Sequence, residues 1–223
     1  MSIAENLHKV RERIASAASR AGVSHSDIVL VAVTKTVDVP RIREAISAGV
    51  TDIGENYVQD SARKFEAVGR SARWHMIGHL QTNKVKQAVP IFDLIQSVDG
   101  IPLAREIGKR SIGAGKRSRV LVEVNISGEE SKFGVRCCGA LSFCGEIAAI
   151  EGIELRGLMG IAPFTDDESA IRKSFARLKE LWDELPNEYR EWLSMGMSSD
   201  FEMAIQEGSN MVRVGTAIFG PRG

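Results

Sequence analysis

Long apolar runs, cysteine and an excess of either charge are all scarce in this chain of 223 residues. The longest apolar stretches are strand-sized, far below the roughly 18 consecutive residues of a membrane-crossing helix, so none is expected. Met1-Ser2-Ile3-Ala4-Glu5 lacks a basic segment leading into an apolar core. No secretion signal is therefore expected, and the chain is assigned to the cytoplasm. The only cysteines, Cys137, Cys138 and Cys144, crowd one segment, which does not suit a disulfide scaffold. No histidine lies near them to complete a zinc site, and residues 137 to 150 read as a helix in which small thiols pack. Basic and acidic residues balance at 29 each, so no long-range field recruits nucleic acid or an anionic membrane.

What is present is alternation. Hydrophobic residues at 43% and charged residues at 26% are ordinary for a globular chain, and the length suits one all-parallel barrel. The first strong signal is Ile28-Val29-Leu30-Val31-Ala32-Val33-Thr34-Lys35-Thr36, an apolar, β-branched run of the kind buried on both faces of a parallel sheet. It ends in a lysine. Either Lys35 snorkels to solvent, or it is an amine held in an apolar pocket and able to form a Schiff base.

Strand patterns recur at 51–54, 73–80, 92–98, 119–126, 155–161, 192–197 and 211–219, separated by helical periodicity. Thr165-Asp166-Asp167-Glu168 and Ser199-Asp200-Phe201-Glu202 read as capping boxes that open helices. Eight βα units in this length predict an α/β fold, a single (β/α)8 TIM barrel over residues 1–223. An open doubly wound sheet is the alternative, and periodicity does not separate the two. An extra N-terminal helix over residues 3 to 21 precedes the first strand. It takes the ring position that nothing after the eighth strand is long enough to fill.

In such a barrel the chemistry sits at the carboxyl ends of the strands, with a phosphate site after the seventh and eighth. Ser198 and Ser199 stand where the seventh strand turns into a helix, and Gly215-Thr216 late in the eighth offers close backbone approach and a hydroxyl. Each has a plainer reading, as an N-cap and as a bulge. Lys35, Asn56, His79 and Arg213 fall at other strand ends. A buried Arg213 needs a partner, either an acid such as Glu123 or Glu55 or an anionic or ring-nitrogen group of a ligand. His75 and His79 share a strand face about 13 Å apart, too far for one ion, so no metal is expected. Ser127-Gly128-Glu129-Glu130-Ser131-Lys132-Phe133-Gly134 lacks phosphate-loop spacing and reads as a rim loop.

Several stretches, in order, resemble the pyridoxal phosphate homeostasis protein family, barrels related to the N-terminal domain of alanine racemase. They are Ala32-Val33-Thr34-Lys35-Thr36, Gly54-Glu55-Asn56-Tyr57-Val58-Gln59, Trp74-His75-Met76-Ile77-Gly78-His79-Leu80-Gln81, Ser131-Lys132-Phe133-Gly134, Gly157-Leu158-Met159, Met195-Gly196-Met197-Ser198-Ser199-Asp200 and Arg213-Val214-Gly215-Thr216-Ala217-Ile218-Phe219-Gly220. Gly160-Ile161, where a polar residue is expected, and Ile53, where an aromatic is often found, depart from that pattern. The resemblance implies pyridoxal phosphate fold-type III, with Lys35 as the Schiff-base lysine of pyridoxal 5′-phosphate. It places Ser199, Gly215 and Thr216 around the phosphate and Arg213 at the pyridine nitrogen; Ser198, Asn56 and His79, from their strand-end positions, complete the expected cofactor site. Arginine keeps its proton, so the ring stays a weak electron sink, which suits a carrier or a racemase better than a transaminase.

The function this implies is intracellular homeostasis of pyridoxal phosphate, without catalytic turnover. The partners expected are the cofactor and, as recipients, apo-forms of its enzymes or free amino acids, with no nucleic acid or membrane, for a monomer or weak dimer. The alternative is an amino-acid racemase with His79 or Tyr57 as the second acid–base group. A barrel aldolase is a third reading, for which no carboxylate–lysine constellation stands out.

Overall fold

A computed structural model describes residues 2–220; residue 1 and residues 221–223, the ends of the expected domain, lie outside the described residues. Among the described residues nine strands form, all parallel: β1 (Val29–Val33), β2 (Asp52–Glu55), β3 (Arg73–Met76), β4 (Leu94–Val98), β5 (Ser118–Asn125), β6 (Val135–Arg136), β7 (Ile153–Gly160), β8 (Trp192–Ser194) and β9 (Met211–Val214). Eight of them close into a barrel in the order β1-β2-β3-β4-β5-β7-β8-β9, with β9 back beside β1, while the two-residue β6 adds to β5. This is the (β/α)8 barrel; β4 pairing with β5 closes it, so the sheet is not open.

Closure buries the strands on both faces, which is why they read as near-continuous apolar runs. The outer face packs on the helices α1 (Ile3–Ala21), α2 (Val39–Ser47), α3 (Val58–Val68), α4 (Val85–Ala88), α5 (Ile101–Gly113), α6 (Ala140–Ala148), α7 (Glu168–Glu184), α8 (Phe201–Gln206) and α9 (Thr216–Phe219). Helix α1 begins in a capping box between Ser2 and Glu5 and stops at Gly22 in the left-handed conformation. Its stripe of Ile3, Leu7, Val10, Ile14 and Ala18 is buried, and it packs on α2, α8 and α9, filling the gap in the ring. Among the described residues no helix is long and apolar enough to cross a membrane.

Three expectations shift. The eighth ring strand stops at Val214, and Thr216–Phe219 is a turn of helix (α9), because Gly215 turns the chain at the barrel mouth and its carbonyl accepts from the amides of Ile218 and Phe219. The third strand stops at Met76, which leaves His79 in the loop beyond it. Neither capping box forms as read: Asp167 caps α7, accepting from Ser169 and Ala170, and Asp200 rather than Ser199 precedes α8. The Asp167 carboxylate, two residues nearer the helix than Thr165, reaches its free amides, whereas Asp200 makes no capping bond and its Oδ1 accepts from Met197 N instead.

One close approach sets the level of the site. Gly157 has φ 144°, and a Cβ there would lie 1.8 Å from the carbonyl oxygen of Trp192 on β8. Only glycine allows β7 and β8 to pair at that distance, in the register Gly157↔Trp192 and Met159↔Ser194.

Candidate functional site

Alternate residues on a strand face the same way, so the barrel interior can be read from the register. On β1, Val29 and Val31 join Leu94, Leu121, Met159 and Met211 in an apolar plug. Continuing that parity past the strand, Val33 and then Lys35 reach the carboxyl-end mouth. Lys35 is half-buried there. The residue after it, Thr36, has φ 64°, the one positive φ among non-glycine residues described. A β-branched side chain in that region is strained by roughly 1–3 kcal/mol and persists only where its surroundings hold it.

Lys64 holds it. This lysine is 6% exposed on the outer side of the sheet, a position the sequence analysis missed because α3 reads as an ordinary amphipathic helix. Its ammonium donates to Thr34 O, Glu55 Oε1 and Asp60 Oδ2, each at 2.8 Å, so all three N–H groups are matched. Thr34 Oγ1 also donates to Glu55 Oε1 at 2.6 Å, and Val37 N closes a turn onto Thr34 O at 2.9 Å. Burial pushes the Glu55 carboxyl up, while the hydrogen bond and charge of Lys64 pull it back. Glu55 is thus committed to Lys64 and does not partner Arg213.

Strand β9 lies beside β1 with Val31 opposite Arg213, which carries Gly215 to the level of Val33. A Cβ on Gly215 would lie 3.3 Å from Val33 Cβ, so the glycine leaves the backbone open to the mouth. The amides of Gly215 and Ala217 converge on one oxygen, Ser198 Oγ, at 3.2 and 3.4 Å. Two amides meeting at an oxygen is the geometry of an anion cradle. Ser199 and Thr216 are exposed beside it.

Arg213 points into the barrel, 4% exposed, donating to Gly160 O at 2.9 Å and to Ser194 Oγ. Burial pushes its guanidinium down to about 10, opposed by the charges of Glu123 and Asp200; it stays a cation at neutral pH. Just past β2, two strands round the barrel from β9, Asn56 Oδ1 is buried with no hydrogen-bond partner. His79 stacks on Phe133 with centroids 3.9 Å apart and 12° between planes, and its Nδ1 lies 3.5 Å from Asp99. A cleft of about 550 Å3 opens here, lined by Asn56, Tyr57, His79, Gln81, Phe133 and Glu123 among others. His75, by contrast, lies inside the barrel on Asp52 and Gln96, away from His79.

Glu123 is the titrating group of this wall. Burial, and then the charge of Asp99, push its carboxyl up to about 7, against the pull of Arg213. A carboxyl raised on folding favours the protonated state, so its contribution is present below about pH 4.5 and is lost as pH rises through about 7. Glu123→Gln is therefore expected to be more stable than the parent at pH 8 by roughly 3 kcal/mol and level with it at pH 4. Urea unfolding at both pH values checks this; a constant difference would refute the assignment.

The family model for the alanine racemase N-terminal domain matches residues 3–223. The chain is 42% identical over 226 residues to a pyridoxal phosphate homeostasis protein of Aquifex aeolicus, covering 100% of this chain and 99% of the relative. It superposes on a crystal structure of an unknown protein from Bifidobacterium adolescentis with TM-score 0.93 and 42% identity, covering 97% and 94% of the two chains. PipY of Synechococcus elongatus, in a structure with pyridoxal phosphate bound, superposes with TM-score 0.83 and 31% identity over 98% and 100%.

Proposed function

Because the chain belongs to the alanine racemase N-terminal-domain family, among the pyridoxal phosphate homeostasis proteins, we propose that it binds pyridoxal 5′-phosphate and buffers or delivers it without turnover. The observation that carries this is the register of β1 against β9, which brings an amine, an anion cradle and a guanidinium to one barrel mouth.

The residues present fit the cofactor. Lys35 would supply the amine that holds the cofactor at its aldehyde. The amides of Gly215 and Ala217, with Ser198, Ser199 and Thr216, would hold the phosphate dianion. Arg213 would donate to the pyridine nitrogen without giving up its proton. The buried, unpartnered Asn56 Oδ1 offers an acceptor in the cleft it lines with His79. When bound, the cofactor supplies an electron sink, and Arg213 keeps that sink weak. On this reading the recipients are apo-enzymes or free amino acids reaching the open cleft, and the chain acts in the cytoplasm as a monomer or weak dimer.

Titration with pyridoxal phosphate is expected to give a visible band that saturates at one equivalent. In deuterated buffer the loaded protein is expected to leave the α-proton of alanine unexchanged over hours. Sustained exchange would establish a racemase-type enzyme instead, and no band would remove the cofactor reading.

A further inference from the structure

The interior of an eight-stranded barrel is ordinarily filled by branched apolar side chains. Part of this one is, but Asp52, His75, Gln96, Ser194 and Arg213 all point inward and none is more than 4% exposed. They form one chain. Arg213 Nη1 donates to Ser194 Oγ, and Ser194 Oγ donates to Gln96 Oε1 at 2.6 Å. Gln96 Nε2 donates to His75 Nδ1 at 2.9 Å, and His75 Nε2 donates to Asp52 Oδ1 at 2.9 Å. Arg73 reaches Asp52 Oδ2 at 2.7 Å from the amino-end face. The relay therefore crosses β9, β8, β4, β3 and β2, from the mouth to the opposite end.

Its direction is forced by its ends. A guanidinium only donates and a carboxylate only accepts. Since Ser194 Oγ accepts from Arg213, its proton needs another acceptor, and Gln96 Oε1 is the one it finds. That fixes the amide, turns its N–H toward His75 Nδ1 and leaves His75 as the Nε2–H tautomer facing Asp52. With the amide reversed, the Ser194 proton has no acceptor and Gln96 Oε1 meets a ring lone pair. Burial works to raise the Asp52 carboxyl, but hydrogen bonds from His75 and Arg73 outweigh it and hold it at about 2, so the accepting end stays ionised.

We propose that this relay aims the Arg213 guanidinium at the barrel mouth, making Ser194, Gln96 and His75 positioning residues for its contact with the ring nitrogen of the cofactor. The second half of that statement rests on the cofactor reading above. A purely structural network would behave differently, because replacing buried polar groups by well-packed apolar ones is often neutral or stabilising.

The test uses Gln96→Met, which keeps length and removes both links, with Ser194→Ala as the smaller change should Gln96→Met not fold. In the apoprotein, the Arg213 Nη protons are expected to be resolved and slowly exchanging by 1H–15N spectroscopy, and to average in either variant. In the loaded protein, either variant is expected to bind pyridoxal phosphate roughly tenfold more weakly, with a shifted visible band, the scale of one hydrogen bond to a charged group. Ser194→Thr, which keeps the hydroxyl, is expected to restore both signals. Unchanged Nη signals and unchanged affinity in both variants would overturn the relay. Nη signals that respond to the variants in a parent protein giving no band with pyridoxal phosphate would leave the relay standing and remove the cofactor reading alone.

Discussion

Lys35→Ala is expected to abolish the visible band formed with pyridoxal phosphate and to weaken retention of the cofactor by on the order of a hundredfold. The covalent link is then gone, and the phosphate cradle and Arg213 alone hold the ligand, each worth roughly 1–3 kcal/mol. Borohydride reduction of the loaded parent protein is expected to add the cofactor mass to the peptide containing Lys35, and to add nothing in the variant. The fold is expected to survive within about 1 kcal/mol, since Lys35 is only half-buried and lies past the end of β1. A band of normal intensity in Lys35→Ala would place the Schiff base on another lysine. Lys132, on the rim loop and within 3.4 Å of Ala162 O, would be tested next.

The largest effect on stability is expected from Lys64→Met. The Lys64–Glu55 pair is almost fully buried, with side-chain exposures of 8% and 0%. Removing one partner of a buried pair leaves the other charge uncompensated and costs about 3–5 kcal/mol. Glu55 Oε2 already has no hydrogen-bond partner, so only the Thr34 hydroxyl on Oε1 is left to stabilise the carboxylate. Its carboxyl, raised by burial in the parent, then rises further. The added cost is absent where Glu55 is protonated and grows as pH rises through the folded-state value, so urea unfolding is expected to show a larger deficit at pH 8 than at pH 5. Lys64→Met with Glu55→Met is expected to recover most of the loss, because the apolar pair removes both desolvated charges. A functional effect follows from the same contacts: with Thr34 O released, the Lys35–Thr36 turn relaxes and cofactor retention falls. A stable Lys64→Met protein with full retention would show that Thr36 is held by other means.

Much of this molecule was readable in advance. Eight apolar strand signals with intervening helical stripes specify parallel sheet and covering helices, because burial on two faces, or on one, leaves a period in the sequence. Lys35, Arg213, Gly215 and Asn56 were identified because each is anomalous where it stands: a charge, a glycine or an amide at the end of an apolar strand. Glu55 was misjudged as a partner for Arg213, since a one-residue change of parity moves a side chain from the interior to the outer face. The eighth strand was read five residues too long because Ala217-Ile218-Phe219 is as apolar in a helical turn as in a strand. Lys64 left no signal, as a lysine on an amphipathic helix is ordinarily solvated.

By itself, the sequence determined the fold class and marked the candidate residues at the strand ends, because local periodicity and local chemical anomaly are both written along the chain. Tertiary structure decided the relations between strands. Closure of β4 on β5, the register of β1 against β9, and the direction of the chain from Arg213 through Ser194, Gln96 and His75 to Asp52 join residues far apart in sequence, Val31 and Arg213 among them. Such contacts depend on which strands are neighbours and at what stagger, and neither quantity is carried by the periodicity of any single segment.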